Sequence, residues 1–340
     1  MSAPSAVRRN SFDKRSTSMR ACFIIDPIEK LKPKKDSSID LMIEAASRGY
    51  QVDFCLYNDV NAGSEGVSGE VRSIEMSPDI RATYKWDPSL AKIGAARNAN
   101  FADYDVIFIR KDPPFDDGYF SLTLLLEPLE KKVVFVNSPR GVRTVSEKLS
   151  ALHFAEFTPP TFASYSVERL RTFAQRFDKV VLKPCYLGSG EGVVVSYAAD
   201  EKFKDYVEFI LDRAPRGPVI AQAFLPEIVD GDTRVMMIDG EPIAALGRKP
   251  SEGDFRANIA VGGTEFFVEP TPAQMTIAKT IGGFLRENKI IFAGIDLIGE
   301  KLIEINVTSP TLIQELRRVG GPDISKKLWD ALEQKVKARA

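Results

Sequence analysis

The stretch Gly294-Ile-Asp296-Leu-Ile-Gly-Glu-Lys-Leu-Ile-Glu304-Ile-Asn306-Val-Thr-Ser309-Pro310 reads as two apolar strands joined at 299–301. A three-residue loop there sets Asp296 opposite Glu304 and puts Asn306 on the same face, because strand side chains alternate. Two facing carboxylates repel, and Asp296 sits among apolar neighbours, where an unpaired charge is expensive. A hard divalent cation relieves both problems: Mg²⁺ takes a few protein oxygens and completes its octahedron with water and substrate phosphates. The plainer reading is an exposed acidic hairpin, and the apolar setting of Asp296 weighs against it.

Working outward, Lys183-Pro-Cys-Tyr-Leu-Gly188-Ser189-Gly190-Glu191-Gly192 follows the apolar run 180–182 and precedes another at 193–195. Alternating glycines let backbone amides converge, and a strand-end lysine adds positive charge, so the segment suits a polyphosphate. It is not a P-loop, because the lysine precedes the glycines and a strand follows them. Alone it would be a flexible hairpin loop with one solvated lysine. Asp230-Gly-Asp232-Thr-Arg234, then Arg248, Arg256, Asn258 and Gly262-Gly263, form a third group. Guanidinium forks suit carboxylates and phosphates, although isolated arginines are more often surface ion pairs of small worth. Lys148, in the first turn of an expected helix, opposes the helix dipole and hints at an anion; a solvated side chain is the commoner reason.

The remaining chain supplies a scaffold. A strand at 22–25, a helix at 37–48 closed by Gly49 and a strand at 51–56 alternate as in α/β proteins, and further strands are expected at 106–109 and 133–136. They predict a doubly wound parallel-sheet domain over 19–143. Later, hairpin signals such as Asp239-Gly240 replace that alternation, with helices near 146–156, 166–177, 200–213, 272–288 and 323–337. An α+β body of two lobes follows, divided at 144–222 and 223–340.

Composition limits the function. The 340 residues carry 46 basic and 47 acidic side chains, a net charge of −1, which argues against nucleic acid or an anionic membrane as partner. No apolar run is long enough for a membrane span. Residues 1–18 are rich in Ser and Arg without apolar periodicity and read as a disordered extension, with Met19 an alternative start; a transit peptide is the weaker reading. Cys22, Cys55 and Cys185 show no metal or redox spacing, which suits a reducing cytoplasm. The single histidine, His153, lies in an apolar stretch where packing is its expected role.

Lys148, Lys183 with its glycine loop and the Asp296/Glu304/Asn306 hairpin together resemble the ATP-grasp superfamily. Within it, Asp26-Pro27-Ile28, Lys34-Lys35-Asp36-Ser37-Ser38, Arg110-Lys111-Asp112-Pro113-Pro114-Phe115-Asp116, Arg256-Ala-Asn258, Gly262-Gly263 and Glu304-Ile-Asn306-Val-Thr-Ser309-Pro310-Thr311 look like bacterial glutathione synthetase, from Met19 onward. The resemblance implies an ATP-grasp body behind the α/β domain and an ATP-dependent carboxylate–amine ligase that joins γ-glutamylcysteine to glycine through an acyl phosphate. It further implies ATP contacts at Lys148, Lys183, Gly188, Ser189, Gly190, Gly192, Gln222, Phe224, Leu225 and Asp232. Two Mg²⁺ ions, with Mn²⁺ as the alternative, would sit on Asp296, Glu304 and Asn306. Arg234, Arg248 and Arg256 would act at the transferred phosphate, with Lys34, Ser37, Asn258, Gly262, Gly263 and Ser309 at the peptide substrate. A cytoplasmic homo-oligomer, dimer or tetramer, is implied as well. The loop after Lys183-Pro184 is a residue longer than the family's usual turn, and Ala223-Phe224 replaces a more polar adenine hinge. These departures keep two rivals open: another ATP-grasp ligase with a different amino-acid or peptide substrate, and a nucleotide-binding regulator without turnover.

Overall fold

The computed structural model describes residues 18–83, 90–213, 217–251 and 263–339. Its N-terminal sheet is centred on β1 (Arg20–Ile25), whose run Ala-Cys-Phe-Ile-Ile is buried on both faces, as a parallel central strand requires. The strands β2 (Gln51–Leu56), β1, β7 (Val106–Arg110) and β8 (Val134–Val136) lie side by side and parallel. Four strands without a counterpart among the expected elements extend the sheet beyond β2. They are β3 (Val60–Gly63), β4 (Gly66–Met76), β5 (Ala91–Ile93) and β6 (Arg97–Asn100), and β4 pairs antiparallel with β2 and with the other three. Helix α1 (Ser37–Ser47) starts where the Asp36 carboxylate accepts from the Ser38 and Ile39 amides, and it ends at Gly49 in a left-handed conformation, φ 75°. Three shorter helices, α2 (Asp79–Thr83), α3 (Asp117–Leu126) and α4 (Pro139–Thr144), complete this part.

Two antiparallel sheets follow. The first joins β9 (Thr161–Ser164), β10 (Val180–Pro184), β11 (Val194–Ser196) and β12 (Val219–Ala223) in the order β11-β10-β12-β9, with α5 (Val167–Ala174) and α6 (Phe203–Asp212) packed on it. The second holds β13 (Asp232–Ile238), β14 (Glu241–Lys249), β15 (Thr264–Val268), β16 (Phe292–Ile298) and β17 (Lys301–Asn306) in the order β15-β14-β13-β16-β17. Asp239 and Gly240, both at positive φ, make the expected two-residue turn between β13 and β14. Helix α7 (Pro272–Glu287) begins with Thr271 and Gln274 capping each other reciprocally. Residues 149–154, inside the expected helix 146–156, form a 3₁₀ segment instead, led by Lys148. The chain from Glu147 onward is held by β17 there, since Ile305 donates to the Glu147 carbonyl at 2.8 Å, and that pairing competes with α-helical continuation.

Helices α8 (Ile313–Arg318) and α9 (Ile324–Lys337) carry the C-terminus back onto the N-terminal sheet. Trp329 of α9 is fully buried against Phe108, and its indole N–H donates to the Leu41 carbonyl at 2.9 Å. Phe108 stacks on Phe23 with ring centroids 4.3 Å apart. Strand residues of both the first and last sheets therefore share one apolar core with α1 and α9. Asn137, just after β8, adds a polar tie: its amide donates to the Phe292 and Val307 carbonyls, both at 2.7 Å, and accepts from the Ile291 and Phe292 amides. His153, expected to be packed, is exposed, with one ring face toward Phe284. Trp329→Ala removes the centre of the shared core and is expected to cost about 3–5 kcal/mol of stability. Denaturant unfolding checks this, and a loss below about 1 kcal/mol would contradict the shared core.

Candidate functional site

A cavity of about 420 Å³ lies between the two antiparallel sheets and reaches the strand ends of the N-terminal domain. The last sheet forms its floor, and register decides what that floor displays. Directly opposed pairs are Arg248–Asp232 across β14 and β13, Arg234–Asp296 across β13 and β16, and Asp296–Glu304 across β16 and β17. The Asp296–Glu304 pairing is the expected one, but it arises differently. The turn is the two residues Gly299 and Glu300, with Ile298 opposite Lys301, and an irregularity after Asp296 lets the registers meet at Glu304.

These pairs form a row whose sign alternates until its end, where Asp296 and Glu304 adjoin; Arg234, Arg248 and Asp296 are buried, and Asp232 and Glu304 half-buried. Arg234 grips Asp296 with Nε and Nη2, the latter 2.6 Å from Oδ2. Arg248 grips Asp232 at 2.7 and 2.6 Å and reaches Asp296 Oδ2 at 3.0 Å. Burial alone would raise the pKa of Asp296, but the two guanidinium groups hold it well below the usual carboxylate range. Glu304 has no such partner among the described residues. Burial, with Asp296 and Glu147 nearby, pushes its pKa up, and Lys148 offsets this only in part. With its amide nitrogen turned to Glu304 Oε1 (2.8 Å) and its oxygen accepting from Arg234 Nη2 (3.0 Å), Asn306 links the two carboxylate sites.

Across the cavity stand the two lysines. Lys183 is buried at the end of β10 and donates to Gln222 Oε1 on β12 at 2.6 Å. Burial lowers its pKa to about 8, helped by neighbouring Lys148 and opposed by Glu304 and Asp296. Lys148 donates to the Leu187 carbonyl, at the base of the glycine loop. Ser189 and Gly190 of that loop adopt positive φ. Val181, Phe224, Leu225, Ile228, Ile298 and Ile303 give the cavity one apolar end.

Most sequence-selected residues meet in this cavity: Lys148, Lys183, Gly188, Ser189, Gly190, Gln222, Phe224, Leu225, Asp232, Arg234, Arg248, Asp296, Glu304, Asn306 and Ser309 all line it. Three do not. Gly192 turns away at φ 71°, with Pro184 beside its missing Cβ. Lys34 is exposed, and the neighbouring Lys35 takes the lining position instead. Ser37 is buried in the first turn of α1, where the helix start directs it inward. Arg256, Asn258 and Gly262 lie outside the described residues; Gly263 is buried just before β15. Contributors missed from sequence are Glu147, Asp112 and Glu315. Glu147 Oε1 accepts from the Val307 and Thr308 amides at 2.9 and 3.0 Å and fixes the segment after Asn306. Its place beside Lys148 in Ser146-Glu-Lys was the available signal.

Among the described residues, no group of three or more His, Cys, Asp or Glu side chains is arranged to hold a metal alone. Two carboxylates, an amide and substrate oxygens nevertheless make a hard-oxygen donor set that fits a divalent cation, and the under-neutralised Glu304 is the observation that favours one. Cys185 is buried, and burial raises its pKa, which suits packing and not a catalytic thiol.

Two antiparallel lobes enclosing a cavity with paired lysines and an acid–amide hairpin define an ATP-grasp ligase. Solved structures with the same architecture include D-cycloserine synthetase (TM-score 0.64, 13% identity, 93% of this chain and 99% of that one) and D-alanyl-alanine synthetase A from Vibrio cholerae (TM-score 0.58, 12% identity, 95% and 99%). The models of the prokaryotic glutathione synthetase N-terminal domain and ATP-grasp domain match residues 19–143 and 147–321, and the chain belongs to that family of ATP-dependent ligases. It is 37% identical to the glutathione synthetase of Pseudomonas syringae pv. tomato, over 95% of this chain and 99% of the relative. The glutathione synthetase of Agrobacterium fabrum is 35% identical, over 92% and 95%. Family members use ATP and a divalent metal ion.

The lowered pKa of Lys183 has a measurable consequence. A phosphate held beside it would stabilise its charged form, so nucleotide binding there would take up protons near pH 8–9, with affinity falling as pH rises above 8. Calorimetry in buffers of different ionisation enthalpy should show this uptake in the native chain and lose it in Lys183→Met. Equal uptake in both would refute the assignment.

Proposed function

We propose that the cavity binds ATP between the two antiparallel sheets and joins γ-glutamylcysteine to glycine, giving glutathione, ADP and phosphate. The observation that carries this reading is the convergence of Lys148 and Lys183 on the Asp296–Glu304–Asn306 hairpin across one cavity, in a chain of this family. A carboxylate is a poor electrophile. Phosphoryl transfer to the cysteinyl carboxylate makes an acyl phosphate, and glycine's amine then displaces phosphate as the amide forms.

In this reading the protein positions groups and balances charge, with no side-chain nucleophile. Phe224, Leu225, Val181 and Ile303 hold the adenine, and the Gln222 carbonyl side chain orients Lys183 toward the phosphates. Lys148 and the loop amides at 188–190 cover the phosphate chain, and closure of that loop against Pro113 excludes water from the acyl phosphate. Arg234 and Arg248 steady Asp296 and offset charge developing on the transferred group. Asp296, Glu304 and Asn306 would hold Mg²⁺, two ions in the fullest form, and the metal would supply charge neutralisation at the phosphates. Residues 19–143, 144–222 and 223–340 act as the substrate domain and the two lobes. No helix among the described residues is long and apolar enough to cross a membrane, and a cytoplasmic homo-oligomer fits the reading.

Formation of ADP should require both γ-glutamylcysteine and glycine, with glutathione as the product; ADP formation independent of glycine would sink the reading. Glu304→Gln should lower kcat about 10²–10³-fold while leaving the fold intact, because Glu304 has no ion-pair partner among the described residues to strand. Asp296→Ala differs. It leaves Arg234 buried without its carboxylate and should also cost about 3–5 kcal/mol of stability, measurable by denaturant unfolding.

A further inference from the structure

The alternating row on the last sheet continues beyond Arg248. Glu265 on β15 is directly opposite Arg248, and it accepts from Arg318 Nη2 at 3.1 Å. Arg318 in turn lies 3.3 Å from Glu315 Oε1. The row thus leaves the sheet and ends at Glu315, in the short helix α8 after the Ser309–Leu312 loop.

Glu315 is only 2% exposed, yet it lines the cavity, and its second oxygen, Oε2, has no hydrogen-bond partner among the described residues. A buried carboxylate oxygen left unmatched at a cavity wall is costly unless a cationic donor occupies the space in front of it. Arg318 occupies only the other oxygen and is itself shared with Glu265 and the Lys34 carbonyl. Lys35 and Asp112, from the N-terminal domain, line the same cavity.

We propose that Glu315 is a specificity-determining residue that receives the α-ammonium of the γ-glutamyl substrate; this rests on the reading of the reaction given above. Two arguments choose that ammonium over the amine of glycine. The first is distance. Helix α8, which carries Glu315, packs on the β14–β15 side of the sheet, two to four strands from Asp296 and Glu304, or about 10–19 Å at the usual strand spacing. An extended γ-linked dipeptide, about three backbone units long, spans roughly 10 Å from its cysteinyl carboxylate to its α-ammonium. The second is protonation. The acceptor amine must lose a proton to attack, and a buried carboxylate would hold that proton on. The donor's α-ammonium keeps its charge throughout, so the same carboxylate binds it without opposing the chemistry.

The test compares the native enzyme with Glu315→Gln on γ-glutamylcysteine and on glutarylcysteine, which lacks only the α-amino group. Glu315→Gln should raise the KM for γ-glutamylcysteine by about 30-fold or more with little change in kcat. The KM for ATP should not move, and glutarylcysteine should be used equally, and poorly, by both proteins. A purely structural role would lower activity on both substrates alike and overturn the proposal. A raised KM for glycine alone, or unchanged constants throughout, would also overturn it. Failure of the native enzyme to use γ-glutamylcysteine at all would instead refute the parent reading of the reaction, which separates the two.

Discussion

The bidentate contact of Arg234 with Asp296 is the constraint around which the site is organised. It places two opposite charges at a nearly dry position on adjacent strands, where each is tolerable only because the other is held in register. Arg248 and Asp232 repeat the pattern one strand over, so the row neutralises itself by pairs. Glu304, at the end of the row, is the member left over. That imbalance leaves a half-buried carboxylate facing two lysines, an electrostatic arrangement suited to a polyanion and its counter-cation.

The row would be of little use on a mobile sheet. Its rigidity comes from the way the last sheet is locked to the first: Asn137 satisfies four backbone groups of β16 and neighbouring segments, and Trp329 packs between the C-terminal helix and Phe108. Among the described residues, only the β9–β12 sheet has an apolar core of its own. This division suits a lobe that moves against a fixed floor, with the glycine loop at the moving edge.

Much of this was legible in the residues. Apolar runs ending in polar turns located the parallel strands, and Asp239-Gly240 located a hairpin, because local backbone chemistry decides such features. The antiparallel strands 60–100 were not foreseen, since mixed and half-exposed strands carry weak patterns. Lys34 and Ser37 were chosen where Lys35 lines the cavity, because a loop's sequence does not fix which way successive side chains turn. Glu315 carried no signal at all. Its ion-pair partner Arg318 is held by Glu265 and the Lys34 carbonyl, 53 and 284 residues away in the chain.

By itself the sequence determined which chemical groups were present and the local geometry that paired them: the strand alternation that faces Asp296 toward Glu304, the glycines of the 188–192 loop, and the mixed-sign residues of the last sheet. The tertiary structure alone decided how those groups compensate one another. Whether Asp296 is free or clamped, whether Lys183 is solvated or lowered to about 8, and whether Glu315 is paired or half-unmatched depend on distant chains meeting in low dielectric. Charge interactions act through space, and no spacing along one chain records which distant partner will be there.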